Sequence, residues 1–189
     1  MKPILILYAT REGQTRRITE HLGAAARSRG SAAEVLNAAE LPSDFSLDSY
    51  SAAALAASVH LGKHEREMVQ FVKAHRAALE HMPAVFLSVS LSEAGAEDAS
   101  ASPERRAQAS ADTERMIHDF LDQTGWHPRH IRAIAGALMY SKYNFLIRFV
   151  MQRIARKAGV ETDTSRDYEF TDWEALDRVV DELVADVAN

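Results

Sequence analysis

Thr10-Arg11-Glu12-Gly13-Gln14-Thr15 takes its meaning from what flanks it. Ahead of it, Ile4 to Ala9 is an unbroken apolar run that reads as a buried first strand. Behind it, Ile18, Leu22, Ala25 and Ala26 recur at helical spacing on one face. A short loop rich in hydroxyls and backbone N–H groups, running from a strand into a helix N-terminus, suits a phosphate. The unpaired N–H groups and the helix dipole both favour an anion there. Other phosphate loops fit poorly. A Walker loop needs Gly-Lys-Ser/Thr, and a dinucleotide fingerprint needs several spaced glycines where only Gly13 is present. A phosphoacceptor site would need acids after the first strand, which Tyr8-Ala9-Thr10 does not supply. The remaining alternative is a plain turn with Thr15 as a helix cap.

Working outward, strand and helix patterns alternate. Ala33–Leu36 reads as a second strand and Ala52–Ser58 as a third, weakened by its alanines. Glu65–Leu79 reads as a helix that turns Met68, Phe71, Val72 and Leu79 inward, and Ala84–Leu91 as a continuous apolar strand. Ser102-Pro103-Glu104 is a helix start, and that helix stops near Gly125 after burying Met116, Ile117, Phe120 and Leu121. Ile131–Leu138 is a fifth strand. Thr171-Asp172-Trp173-Glu174 reads as a capping box before Leu176, Val179, Val180, Leu183, Val184 and Val187. The segment Ser92 to Ser102 is expected to be a mobile loop.

Such alternation implies an α/β fold, a doubly wound five-stranded parallel sheet with helices on both faces. Its ligand is expected at the carboxyl ends of the strands. Two further loops reach that edge: Ser58-Val59-His60-Leu61-Gly62-Lys63 and Ser88-Val89-Ser90-Leu91-Ser92. Gly62 would let backbone approach a planar ring, and the serines offer polar contacts to its edge.

Composition narrows the chemistry. The 189 residues, 47% hydrophobic and 26% charged, suit one soluble domain, taken as residues 1–189. There is no cysteine, so disulfides, thiolate nucleophiles, Fe–S clusters and cysteine zinc sites are excluded. Eight histidines show no HExxH or acid-supported triad, and no metal is expected. His60, if beside a ring cofactor, would tune its charge or shuttle protons. No signal peptide or spanning run of about 20 apolar residues is read. The net charge of −5 is uneven. Met139 to Val160 holds Lys142, Arg148, Arg153, Arg156 and Lys157 with no acid. A globally basic nucleic-acid binder is therefore not indicated, but a local cationic patch is.

Several stretches together resemble a known family, the flavodoxin-like quinone-dependent protoporphyrinogen IX dehydrogenases of bacterial haem synthesis. They are Leu7–Thr15, Ala57-Ser58-Val59 with Gly62, Phe71-Val72-Lys73, Met82–Phe86 and Ser88-Val89. The later ones are more discriminating: Ile134–Leu138 with Tyr140, Glu161–Thr164, Tyr168, and Thr171–Glu174. The similarity spans nearly the whole chain. It implies a flavodoxin-like fold with a segment inserted after the fifth strand, here residues 139–170. It implies FMN as cofactor, porphyrinogen as substrate and a membrane quinone as electron acceptor. Thr10, Arg11, Glu12, Gly13, Gln14 and Thr15 would hold the phosphate. Ser58, Val59, His60, Leu61 and Gly62, with Ser88, Val89, Ser90, Leu91 and Ser92, would hold the ring. Where the family carries arginine, tyrosine and histidine around Gly62, this chain has His60, Leu61 and Lys63; Met139 stands where an arginine is common.

On a helical wheel, Tyr143–Ala158 has an apolar face with Tyr143, Leu146, Ile147, Val150, Met151 and Ile154. The other face interleaves Arg148, Arg153 and Arg156 with Phe145 and Phe149. That combination suits anionic lipid or an apolar ligand bearing carboxylates. Tyr140, Phe145, Arg148, Phe149, Arg153 and Arg156 are accordingly expected to contact substrate or membrane. The expected location is the cytoplasm, at the inner face of the cell membrane. No general base is apparent, and the oligomeric state stays open, a homo-oligomer included. Two other functions use the same loop: an NAD(P)H-dependent quinone reductase and a non-enzymatic electron carrier.

Overall fold

The structure is a computed structural model that describes residues 2–138, 140, 152 and 163–188. Five parallel strands form its centre: β1 (Ile4–Ala9), β2 (Ala33–Asn37), β3 (Ala52–His60), β5 (Ala84–Ser90) and β6 (His130–Ala135). They lie in the order β2-β1-β3-β5-β6, so the chain winds first one way from β1 and then the other. The short β4 (Lys63–His64) pairs antiparallel with the end of β3.

The pleat sends alternate residues to opposite faces, and each face has its own helices. Ile4, Ile6, Ala52, Ala54, Val85 and Leu87 pack under α1 (Gln14–Ser28) and α5 (Trp173–Ala188). Leu5, Leu7, Ala53, Leu55 and Phe86 pack under α2 (Arg66–Leu79) and α4 (Pro103–Thr124). The alanines of β3 are no defect in that setting. The strand is central, paired on both sides, and Phe86, Phe120 and Trp126 fill the layer beside it.

Three expectations are corrected. The expected mobile loop begins as α3 (Leu91–Glu97). The Ser90 hydroxyl caps it by accepting from the Glu93 amide at 3.1 Å, while Leu91 and Ala94 pack beside Ala135, Leu138 and Tyr140. Second, the run Ile131–Leu138 is not one strand. It breaks at Gly136, whose N–H donates to the Ser90 carbonyl at 2.9 Å. The chain then leaves the sheet as β7 (Ala137–Leu138), which pairs antiparallel with the returning β8 (Tyr168–Glu169). Third, Thr171 does not cap α5. The hydroxyl donates to the Ala135 carbonyl at 2.8 Å, and Asp172 takes the cap by accepting from the Ala175 amide at 3.0 Å. Burial of Thr171 against the sheet decides between them.

Candidate functional site

At the carboxyl edge of the sheet, one cleft runs between the ends of β1, β3, β5 and β6. It is lined by Thr10, Arg11, Glu12, Gln14 and Thr15, by Ser58, Val59 and His60, and by Val89, Ser90 and Leu91. Glu65, Gly136 and Ala137 complete it.

The stretch expected to hold a phosphate is built from local contacts. The Thr10 hydroxyl accepts from the Gly13 amide at 3.2 Å, folding the loop on itself. Gly13 stands at φ 94°, where a side chain would be strained, and directs the chain into α1. No side chain caps that helix and no acid lies in its first turn. Its first amides therefore keep their affinity for an anion. Thr15 supplies the sharper observation. It is fully buried, yet its hydroxyl has no hydrogen-bond partner among the described residues. A helical threonine ordinarily bonds back one turn, as Thr19 does to the Thr15 and Arg16 carbonyls. One turn before Thr15 the chain is loop. A buried polar group without a partner costs stability unless something fills the site.

Gln14, also buried, bolts this end of α1 to the arm beyond Gly136. Its amide donates to Glu169 at 2.8 Å and to Thr171 at 3.0 Å, and its oxygen accepts from Arg17 at 3.1 Å. Gln14 was expected as a cofactor contact, and it lines the cleft while doing this second task.

The ring-side loops differ from expectation in detail. After β3 the chain makes a hairpin, with Leu61 and Gly62 as its two turn residues between His60 and Lys63. Both have positive φ, 50° and 77°. The twist of paired strands favours such a turn, and Asn-Gly is its preferred sequence. Gly62 is therefore explained by the turn, and Leu61, 73% exposed at the tip, is in a conformation leucine rarely adopts. Replacing Leu61→Asn should relieve about 1 kcal/mol of strain, raising the midpoint of thermal unfolding by about 2–4 °C; an unchanged midpoint in a calorimetric scan would contradict the strain. Ser88 was expected at the ring but sits deeper in β5, short of the cleft. It is buried, and its hydroxyl pairs with Nε2 of His64 at 2.9 Å. Ser90, two residues on, is the one that lines the cleft. Ser92 lies in α3 and is not among the lining residues.

Glu65 was not singled out as a site residue. It is 4% exposed and lines the cleft. One carboxylate oxygen accepts from Nε of Arg11 at 3.0 Å and the other from the Ser58 hydroxyl at 3.2 Å. The pairing with Glu65 holds the Arg11 guanidinium above its usual pKa. In sequence, Glu65 reads only as the first residue of a helix. Its partners stand 54 and seven residues away, so spacing carried no sign of it.

Tyr140, expected to touch substrate or membrane, is fully buried. Its ring meets Tyr168 edge-on at 6.4 Å beside Leu138 and Ala135. Phe145, Arg148, Phe149, Arg153 and Arg156 lie outside the described residues.

A cleft opening on an uncapped helix start, at the switch point of this sheet order, defines the class. The chain matches the flavodoxin domain over residues 5–165 and belongs to that family. Protoporphyrinogen IX dehydrogenase [quinone] of Escherichia coli K12 is 33% identical over 172 residues, covering 91% of this chain and 89% of that protein. The Leishmania major protein of the same name is 29% identical over 185 residues, covering 96% and 74%. Within the flavodoxin-like proteins, the chain belongs to the quinone-dependent protoporphyrinogen IX dehydrogenases. A short-chain flavodoxin associated with a bacterial microcompartment shares the fold with a TM-score of 0.57 at 10% identity, covering 98% of each chain.

Proposed function

We propose that the protein oxidises protoporphyrinogen IX to protoporphyrin IX, with FMN in the cleft and a quinone as electron acceptor. The observation that carries this reading, in a chain of this family, is the buried and unpartnered Thr15 hydroxyl at an uncapped helix start. Phosphate oxygens are the acceptors that such a hydroxyl and such amides lack. Bound there, FMN supplies two-electron redox chemistry, and the protein's task is to place and insulate it. Thr10, Gly13 and Thr15 shape and line the phosphate end. The backbone of Ser58–His60 and Val89–Leu91 borders the other end. Glu65 and Arg11 stand as an ion pair beside it.

The test is anaerobic turnover of purified, FMN-loaded protein with protoporphyrinogen and a quinone. Porphyrin fluorescence should rise well above a flavin-free control. No rise would remove the proposed reaction.

We also place the protein at the inner face of the cell membrane. The support is the acid-free stretch Met139–Val160 with its five cations. Among the described residues no helix is long and apolar enough to cross a membrane.

A further inference from the structure

Glu65 is a nearly buried carboxylate in the wall of the cleft. It stands at the cap position of α2, yet its side chain makes no capping hydrogen bond. Both oxygens are turned instead toward the two loops that frame the cleft, one to Arg11 and one to Ser58. Its backbone is anchored too: its amide donates to the Ser58 carbonyl at 3.2 Å. The carboxylate cannot drift without breaking contacts at the ends of both β1 and β3. Arg11 is the solvent-facing partner. Its side chain is 61% exposed, and its pairing with Glu65 is what holds it along the cleft wall.

Charge beside a flavin matters because reduction adds electron density to the ring. A free cation in the wall favours the reduced cofactor, and an unpaired carboxylate disfavours it. Paired, the two nearly cancel. Resting on the reading that FMN occupies this cleft, we propose that Glu65 is a positioning residue that holds Arg11 as a closed ion pair at the cofactor wall, setting the cofactor's reduction potential. Without the pair, the guanidinium would stabilise reduced FMN and hold back electrons that an acceptor must collect. Glu12 and Glu67 also act on Arg11, behind Glu65 in size, and both stay in place in the variants below.

The opposite charges of the pair provide the test. In FMN-loaded protein at pH 8, Glu65→Gln should take one negative charge from the wall and raise the two-electron midpoint potential. Arg11→Gln should take one positive charge from it and lower the potential. For one uncompensated charge at an effective dielectric of about 20, each change should shift the oxidised-to-reduced ratio about tenfold, ~30 mV for a two-electron couple. The double variant should return close to the parent. Loosening of the cleft would move both single variants in the same direction. A same-direction shift, or no shift, overturns the proposal. Arg11 is largely exposed, so Arg11→Gln keeps the idea testable should Glu65→Gln fold poorly. Failure of the parent protein to bind FMN would be a separate result, striking the cofactor reading itself.

Discussion

Replacing Thr15→Val should weaken FMN binding about 10- to 100-fold while leaving riboflavin binding unchanged. A hydrogen bond to a charged acceptor contributes about 1.5–3 kcal/mol, and riboflavin has no phosphate to receive it. Valine keeps the shape of the side chain and removes only the hydroxyl. That hydroxyl has no partner among the described residues, so its loss should not destabilise the FMN-free protein. The melting temperature without FMN should hold or rise slightly. The extra stability conferred by added FMN should shrink, as linkage between binding and folding requires. Fluorescence titrations with the two flavins and melting curves with and without FMN read all of this. Equal losses for FMN and riboflavin would place the phosphate elsewhere.

Stability should also depend on pH through His64, by an amount that a single substitution removes. The imidazole packs beside the stacked rings of Phe86 and Phe120, at ring distances of 5.3 and 5.0 Å, and pairs with the Ser88 hydroxyl at 2.9 Å. Burial pushes its pKa down from 6.5 to about 4. The folded protein therefore keeps His64 neutral over a range in which the unfolded chain takes up a proton. Above pH 6.5 the residue makes no difference. As pH falls from 6.5 to about 4, the unfolded state gains relative to the folded one, and stability drops by about 3 kcal/mol in all. Below that no further loss is due to this residue. Urea unfolding of the parent and of His64→Gln at half-unit steps from pH 7.5 to 4 isolates the effect. The gap between the two curves should change by about that amount, and parallel curves would show that the imidazole is not held neutral.

Much of this architecture was legible because it depends on short-range periodicity. Ile4–Ala9 reads as a strand because an uninterrupted apolar run must be covered on both faces. α1 reads as a helix because Ile18, Leu22, Ala25 and Ala26 repeat along one stripe. The start of α4 was visible in Ser102 and Pro103, and its end in Gly125, which stands at φ 65°. Each such signal lies within a few residues of the element it announces.

The misreadings share a different cause. Ser92 to Ser102 looked like a loop because small and acidic residues fill it, yet Leu91 and Ala94 find an apolar surface made by Ala135, Leu138 and Tyr140. Thr171 looked like a cap because its neighbours allow it. The Ala135 carbonyl, 36 residues away, claims its hydroxyl instead. Ser88 and Ser90 are indistinguishable by composition and share a face of β5, and only their places along the strand, one beside His64 and the other at its carboxyl end, separate them. In each case the deciding contact is long-range: an apolar surface for α3, a distant carbonyl for the buried Thr171, and the His64 ring for Ser88.

For the cleft the division is similar. Thr10 to Thr15, between a strand and a helix, was enough by itself to raise the expectation of a phosphate loop, since the anion affinity of a helix start is local chemistry. The same stretch did not reveal that the Thr15 hydroxyl would be buried without a partner, because that depends on what packs around it. Nor did it reveal that Arg11 would close on Glu65, 54 residues further along. Chain order alone determined the loop and the sheet edge to which it belongs. Only the tertiary structure, by bringing the ends of β1 and β3 together, decided which charges face the cleft and which are cancelled.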